Sequence, residues 1–204
     1  MKKIDFKRTL RHLYAASAKG PVLVDVPAMD FLMVDGKGDP NITPSFQHAV
    51  EALYSVSYTL KFMIKRNTGA VDYAVPPLEG LWWTDSMKDF SVENKGIWKW
   101  TVMIMQPEFV TKELFRRAVE DLVGKRKALP LLASVRLEEY AEGLSAQIMH
   151  VGPFSTEGPT IERLHAFIKE SGHQLGGKHH EIYLSDPRKA KPATMKTIVR
   201  QPMK

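Results

Sequence analysis

The sequence contains no cysteine, which excludes disulfide bonds and metal sites built from thiolates. It also lacks any apolar run long enough to span a bilayer, and its basic N-terminus lacks the apolar stretch of a signal peptide. These absences lead us to expect a cytoplasmic protein that does not contact the membrane. The net charge of +6 comes from scattered residues rather than a long basic stripe, so we expect no direct binding to nucleic acid.

The histidines do not follow the spacing of a metal site. His179 and His180 are adjacent, so a strand would point them to opposite faces, and no His-Glu-x-x-His sequence occurs. We therefore expect neither a metal nor another cofactor.

The composition that remains is that of a globular protein, with 44% hydrophobic and 25% charged residues in a chain of 204. This length allows one large domain or two fused half-size units. Residues 1–20 read as an N-terminal arm, because Phe6, Leu10 and Leu13 have the spacing of a short amphipathic helix that docks on the body. The body would then be residues 21–204.

An internal repeat organises the body. Residues 81–85 (Leu-Trp-Trp-Thr-Asp) resemble residues 182–186 (Ile-Tyr-Leu-Ser-Asp), and Gln106-Pro107 matches Gln201-Pro202. Each match follows the same predicted order of strand, helix, strand and strand, over about 28–107 and 133–202. The sequence therefore predicts an α+β fold in which two β-α-β-β units form one antiparallel sheet, with helices on one face and a ligand groove at the seam.

The strand around Glu181 suggests what lies in this groove. Alternation puts Ile182 and Leu184 on one face, where we expect the helices, and Glu181 and Tyr183 on the other, which we expect to be open. In the repeat, Trp82 occupies the place of Tyr183 and Gly80 the place of Glu181. The groove would therefore carry this carboxylate on one side only.

The sequence resembles the GyrI-like small-molecule-binding family, whose duplicated β-α-β-β units include the effector domains of multidrug-sensing transcription regulators. The resemblance rests on residues 149–154 (Met-His-Val-Gly-Pro-Phe), on residues 181–184 and on the closing strand to Pro202. It implies that Glu181 meets ligands inside an aromatic pocket. About 20 preceding residues are too few for a helix-turn-helix, so we expect a standalone member of the family.

The chain is also similar to a standalone subgroup, the cyclopropanoid cyclopropyl hydrolases. The residues that carry this resemblance are 14–17, 21–27, 35–41, Trp82-Trp83 and 155–159. It implies an enzyme that opens the strained ring of DNA-alkylating agents within an aromatic cage. A carboxylate would take a proton from the attacking water, and a donor would stabilise the developing phenolate.

Two carboxylates are candidates for the base. A solvated strand residue is one interpretation of Glu181, but its position in the family favours a role at the ligand. Glu157 precedes a helix, so it can equally be an acid favoured by the helix dipole. Burial would raise the pKa of either glutamate into a useful range.

The candidate ligand-binding residues are mostly aromatic, and each also has a structural interpretation. Of the two tryptophans on one strand face, Trp98 and Trp100, at least one is expected in the cage, whereas Trp83 is expected in the core. A structural role also suits Tyr54 on the long helix and His150 at the end of a strand. The candidates are Trp82, Trp98, Trp100, Tyr183, Tyr54, Tyr140, Phe154 and His150.

Three functions remain open at this level. The first is a hydrolase that detoxifies flat aromatic xenobiotics. The second is a binding module that sequesters or senses such ligands without turnover. The third is a protein-interaction role, such as the gyrase inhibition for which the family is named. The partner expected for the first two is a small aromatic molecule.

Overall fold

The structure, a computed structural model, describes residues 3–69, 71–86, 94–125 and 128–204. Its strands are β1 (Lys3–Ile4), β2 (Val22–Val26), β3 (Met29–Lys37), β4 (Asp72–Tyr73), β5 (Leu78–Trp83), β6 (Lys99–Met105), β7 (Arg136–Tyr140), β8 (Gly143–Val151), β9 (His179–Tyr183) and β10 (Lys196–Pro202). Its α-helices are α1 (Phe6–Thr9), α2 (Arg11–Tyr14), α3 (Pro44–Thr68), α4 (Lys112–Gly124) and α5 (Gly158–Glu170). No helix in these ranges is long and apolar enough to cross a bilayer.

An eight-stranded sheet carries the two predicted units. Its order is β2-β8-β10-β9-β5-β6-β3-β7, and all neighbours are antiparallel. One unit is β3-α3-β5-β6 and the other is β8-α5-β9-β10, and the pair β5–β9 joins them. The α+β class and the duplicated β-α-β-β architecture are therefore confirmed.

The strands at each end of the sheet, β2 and β7, are directly connected in the chain to strands near the opposite end. β2 runs into β3 and β7 runs into β8, each through two residues. Val26 pairs with Gly143 and Met29 pairs with Tyr140, so the register continues without a slip across both connections. The ends of the sheet therefore meet, and the sheet curls round one of its faces.

Helix α3 builds the largest core. Pro44 stands in its first turn, where a missing N–H costs nothing, and Gly69 ends it with a φ of 59°, a conformation that glycine adopts freely. Leu53, Val56 and Leu60 follow helical spacing and are fully buried against the sheet. Each such side chain stabilises the fold by about 1.5–3 kcal/mol through burial.

The opposite face of the sheet is covered by the N-terminal arm. Leu13 and Tyr14 pack against Ile182 and Ile198 there, and Leu10 packs beside them. The expectation that Ile182 would face the long helices is therefore wrong. Both the arm and the helices offer apolar surface, so alternation along the strand does not identify which of them each face meets.

Glu181 consequently lies on the helix face of the sheet. Its pairing partner Val199 belongs to the core under α5, and Tyr183 packs at the edge of the core under α3. Each helix covers the strands of its own unit. The groove at the seam lies between them rather than on an open face, and the arm covers the other side.

A buried ion network, formed by Glu79, Glu142, His180 and Arg200, lies on the arm side. His180 contacts Glu79 (Nε2–Oε2, 3.0 Å) and Glu142 (Nδ1–Oε1, 2.9 Å), and Arg200 donates to Glu142 (Nη1–Oε2, 3.1 Å). Burial opposes a charge on His180, but the two carboxylates outweigh it and raise its pKa to about 9. Burial likewise opposes ionisation of Glu142, but His180 and Arg200 lower its pKa. Two acidic side chains are thus matched by two basic ones.

This buried ion network also holds the arm. The Tyr14 hydroxyl donates to Glu79 Oε1 over 2.8 Å, and Arg200 Nη2 donates to the Leu13 carbonyl over 2.7 Å. Hydrogen bonds to charged groups contribute about 1.5–3 kcal/mol each. The arm is therefore an integral layer of the fold.

Candidate functional site

A cleft of about 1790 Å³ opens over the seam, between α3 and the start of α5. Strands β5 and β9 form its floor through Trp82, His179, Glu181 and Tyr183. Clefts that hold drug-sized ligands are typically about 300–1,000 Å³. The volume of this cleft exceeds that range, so the cleft can hold a ligand of at least drug size.

Two carboxyl groups meet at the floor, and we call Glu157 and Glu181 the carboxyl pair. Glu181 comes from β9, whereas Glu157 directly precedes α5 and is only 4% exposed. The Glu157 side chain makes no capping hydrogen bond to α5. It turns toward Glu181 instead.

The environment of Glu157 favours its protonated form. Burial, and then the negative charge of Glu181, raise the pKa of Glu157 to about 9, against weaker opposing effects of the Thr197 hydroxyl and of Lys95. Within the described part of the chain, Glu157 Oε1 is buried without a hydrogen-bond partner. We therefore expect the carboxyl pair to hold one proton at neutral pH, with the unpaired Glu157 oxygen enclosed beside it.

Glu181 is held by its neighbours on the same strand face. The Tyr183 hydroxyl donates to Glu181 Oε2 over 2.8 Å and accepts from Trp82 Nε1 over 3.2 Å. His179 Nε2 lies 3.2 Å from Glu181 Oε1. Burial and the charge of Glu181 raise the pKa of Tyr183, so the phenol stays a donor. The hydrogen bonds that run from Trp82 through Tyr183 to Glu181 fix the orientation of the Glu181 carboxylate.

Gly80 makes this arrangement possible. It pairs directly with Glu181 across the seam, and Trp82 and Tyr183 are equivalent residues 101 positions apart. A Cβ at Gly80 would lie 2.8 Å from Trp82 Nε1 and 3.0 Å from the Tyr183 hydroxyl. The seam can therefore carry a side chain on one side only, as the repeat suggested.

Aromatic rings surround the floor. Phe46 stacks on Trp82 at 5.7 Å between ring centroids, Trp98 meets Trp82 edge-on at 5.6 Å, and Phe154 meets Tyr183 edge-on at 5.6 Å. Offset and edge-on contacts of this kind keep rings rigid. Of the predicted residues, the structure brings Trp82, Trp98, Tyr183, Tyr54, Phe154 and both glutamates to one cleft.

Three predicted residues lie elsewhere. Trp100 is completely buried, because Phe46 covers it and its ring fills the space left by Gly36. Tyr140 lies on the arm side, edge-on to Phe31, because β7 pairs with β3 and not near the seam. These two residues do not line the cleft.

His150 is the third of these residues. Its Nδ1 lies 3.0 Å from the Thr160 hydroxyl and its Nε2 lies 3.2 Å from the Pro153 carbonyl. It therefore fastens the turn that carries Phe154 to the start of α5, and supports the cleft from behind.

Sequence reasoning missed several polar residues of the cleft, among them His179 and Lys95. His179 lies two positions before Glu181, so the same alternation could have placed it there. Lys95 lines the cleft with its Nζ 5.4 Å from the Trp98 ring centroid, and no motif marks it. In the described ranges, no group of three or more potential metal-binding side chains is clustered.

Comparisons with known proteins agree with this architecture. An uncharacterized conserved protein from Listeria innocua is 44% identical, with a TM-score of 0.91 over 99% of this chain and all of that one. A hydrolase encoded by lin2189 of Listeria innocua is 42% identical, with a TM-score of 0.88 over the whole of both chains. The EcmrR C-terminal domain is 12% identical, with a TM-score of 0.55 over 90% of this chain and 96% of that one, and it shows the fold alone. No curated protein matches the chain.

The fold and its cleft define a protein that binds small molecules. A family model, the GyrI-like small molecule binding domain, matches residues 20–203. The chain belongs to this family.

Proposed function

We propose that this protein is a hydrolase that opens strained, electrophilic rings in flat aromatic xenobiotics and so detoxifies them. The cyclopropanoid DNA-alkylating agents are the substrate class that its sequence resemblance implies. The observation that carries the proposal is the carboxyl pair, in which a buried Glu157 faces Glu181 at the floor of an aromatic cleft. The 42% identity to a hydrolase supports it.

The aromatic walls would bind and orient the substrate. Phe154 and the small exposed parts of Trp82 and Trp98 line the cleft, and ring contacts with a substrate would contribute about 0.5–1.5 kcal/mol each beyond the burial of area. A flat substrate lying against these rings would exclude bulk water. Its strained ring then lies over Glu181, and a single water bound to the carboxyl pair is the nucleophile.

The reaction adds the elements of water across one carbon–carbon bond. The water oxygen attacks the cyclopropane CH₂, and Glu181 takes the proton that the water loses. The broken bond leaves its electron pair to the dienone, which becomes a phenolate. Protonation of that oxygen gives a phenol beside a primary alcohol, and Glu181 returns its proton to solvent.

The remaining polar residues have supporting roles in this scheme. Glu157 retains the proton of the pair, which leaves Glu181 as the base. Tyr183 and His179 are positioning residues that orient Glu181 from both of its oxygens. The ammonium of Lys95, beside Trp98, supplies positive charge for the developing phenolate.

Replacing Glu181 by Gln tests the assignment of the base. The variant keeps the shape of the cleft, so we expect ring opening to slow by about 10²- to 10⁴-fold while affinity for a neutral substrate changes far less. Mass spectrometry of the ring-opened product under single-turnover conditions measures this. Glu162→Gln, an exposed change on α5, is the control and should retain the full rate.

Two outcomes would overturn this scheme. If Glu157→Gln slows the reaction strongly and Glu181→Gln does not, the base is Glu157. If the wild-type protein opens no strained electrophile at all, it is not a hydrolase of this class.

A binding module without turnover is the second candidate. The Glu181 carboxylate beside aromatic rings suits a lipophilic cation, because both the charge and the rings attract it. In that case Glu181→Gln would weaken the binding of an inert aromatic cation directly, as calorimetry would show, and no product would form with any substrate.

A further inference from the structure

Strand β7 ends the sheet with one edge open. On one side it pairs with residues 29–33 of β3. On the other side, where the same run of chain continues as β8 and pairs with β10, no described residue forms a backbone hydrogen bond with Arg136–Tyr140. Unpaired N–H and C=O groups along a strand edge are a template for one more strand.

A groove of about 580 Å³ lies beside this open edge, and we call it the edge groove. Its floor is apolar, because the buried Val110 and the half-buried Leu137 belong to the core packed under α3. Asp30 on β3 lines it as well, with Thr111 and Lys112 at the start of α4. A segment that paired with β7 would direct every second side chain toward this groove.

The edge groove carries an excess of negative charge. Asp30 and Glu139 lie directly opposite each other on β3 and β7, and Glu108 joins them from the loop before α4. Within the described part of the chain, none of these three carboxylates forms an ion pair, whereas Glu138 is paired with Arg136. The lysine at the start of α4 is the one basic residue among the described residues that line the groove.

This charge determines which kind of strand can occupy the edge. Glu138 and Glu139 are adjacent and exposed on β7. Antiparallel pairing of two copies of β7 about its central residue would set the two Glu138 side chains opposite each other, and like charges in that position destabilise a strand pair. A second copy of the chain is therefore disfavoured, and a segment of positive charge is favoured.

We propose that the open edge of β7 and the edge groove bind an extended basic segment of a partner protein, which adds a strand to the sheet. Backbone hydrogen bonds to β7 hold the segment, and its alternate lysine or arginine side chains lie beside Asp30, Glu108 and Glu139. The edge groove shares no lining residue with the cleft that holds the carboxyl pair. The proposal therefore stands or falls independently of the hydrolase function.

A capped, fluorescent hexapeptide of alternating lysine and valine tests the charge of the site. Fluorescence anisotropy with the full chain measures its dissociation constant. We expect saturable binding, because lysine side chains then lie beside the carboxylates of the edge groove. The same peptide with glutamate in place of lysine should bind at least about tenfold more weakly.

Two N-methylated isomers of the lysine peptide separate strand addition from charge attraction alone. An extended strand directs the N–H groups of successive residues to opposite edges, so methylation of every lysine nitrogen blocks one edge and methylation of every valine nitrogen blocks the other. Both isomers carry the same charge. We expect their affinities to differ by about tenfold or more, because only one of them keeps its hydrogen bonds to β7.

Charge variants of the protein then locate the site. Glu139→Lys, an exposed change on β7, should weaken binding of the lysine peptide at least about tenfold, and Glu108→Gln should weaken it about threefold. Glu162→Lys, an equally exposed change on α5 outside the edge groove, is the matched control and should stay within about twofold of wild type.

Four results would overturn the proposal. The first is that the lysine peptide binds no better than the glutamate peptide. The second is equal affinity of the two N-methylated isomers, which would mean charge attraction without strand addition. The third is an equal loss in Glu139→Lys and Glu162→Lys, which would mean a general effect of net charge. The fourth is a dimer in sedimentation that the lysine peptide dissociates, which would make the edge a contact between two copies of the chain.

Discussion

Two clusters of carboxyl groups lie on opposite faces of the sheet around β9, and they are built differently. In the buried ion network, Glu79 and Glu142 contact His180 and Arg200, and the arm adds the Tyr14 hydroxyl. In the carboxyl pair, Glu157 and Glu181 face each other, and one Glu157 oxygen lacks a partner among the described residues. Every carboxyl oxygen of the first cluster has a hydrogen-bond partner, whereas one oxygen of the second lacks a partner among the described residues.

From this difference we expect a structural role for the first cluster and a chemical role for the second. Opposite charges lower the pKa of Glu142, so its carboxylate is stabilised and unreactive. Burial and a like charge raise the pKa of Glu157, so a proton is held where the cleft can use it. Adjacent residues of one strand, His179 and His180, serve the two clusters because alternation sends them to opposite faces.

The largest effect on stability is expected from the buried ion network. Glu142→Gln leaves His180 and Arg200 without their shared counter-charge in a dry environment, which typically costs about 3–5 kcal/mol. Urea unfolding followed by circular dichroism measures the loss. Equal stability of Glu142→Gln and wild type would show that the network is not a structural element.

A glutamate-to-glutamine change in the carboxyl pair is expected to raise the free energy of unfolding rather than lower it. The folded protein holds a proton on Glu157 up to about pH 9, whereas the unfolded chain releases it near pH 4.5. The stability that this proton provides is complete below pH 4.5 and is lost progressively as the pH rises from 4.5 to 9. Glu157→Gln removes the loss, so we expect it to raise the free energy of unfolding at pH 8 by up to about 5 kcal/mol.

Unfolding curves of wild type and Glu157→Gln between pH 5 and 9 measure this effect. His180 has a raised pKa as well, so its contribution also declines as the pH rises through about 9. It is present in both proteins and cancels in the difference. A Glu157→Gln protein that is less stable than wild type at pH 8 would mean that Glu157 is ionised and well solvated when folded.

A smaller effect is expected from Tyr183→Phe. This change removes the donor to Glu181 Oε2 and leaves Trp82 Nε1 without its acceptor. One hydrogen bond to a carboxylate corresponds to about tenfold in rate. We therefore expect kcat for ring opening to fall about tenfold with KM little changed, whereas Tyr140→Phe on the arm side should match wild type. If the two variants behave alike, Tyr183 does not position the base.

The sequence was sufficient to predict the fold and to place three residues at the seam. The repeat and the period of two indicated Trp82, Tyr183 and Glu181, because both features can be recognised in short stretches of sequence, and all three residues line the cleft. Alternation could not tell which face the helices cover, since the arm offers an apolar surface as well. It also could not show which of Trp98 and Trp100 is buried more deeply, because that depends on where Phe46 from α3 lies. The pairing of Glu157 with Glu181 depends on the path of one turn, which no pattern marks.

The contrast between the two clusters is tested most directly by infrared difference spectroscopy of their carboxyl groups at pH 7.5. A protonated carboxyl group absorbs apart from a carboxylate, so the spectrum reports the proton itself. We predict one protonated carboxyl band that disappears in Glu157→Gln and persists in Glu142→Gln. Absence of this band from the wild type, or its loss in Glu142→Gln instead, would contradict the assignment of a shared proton to Glu157 and Glu181.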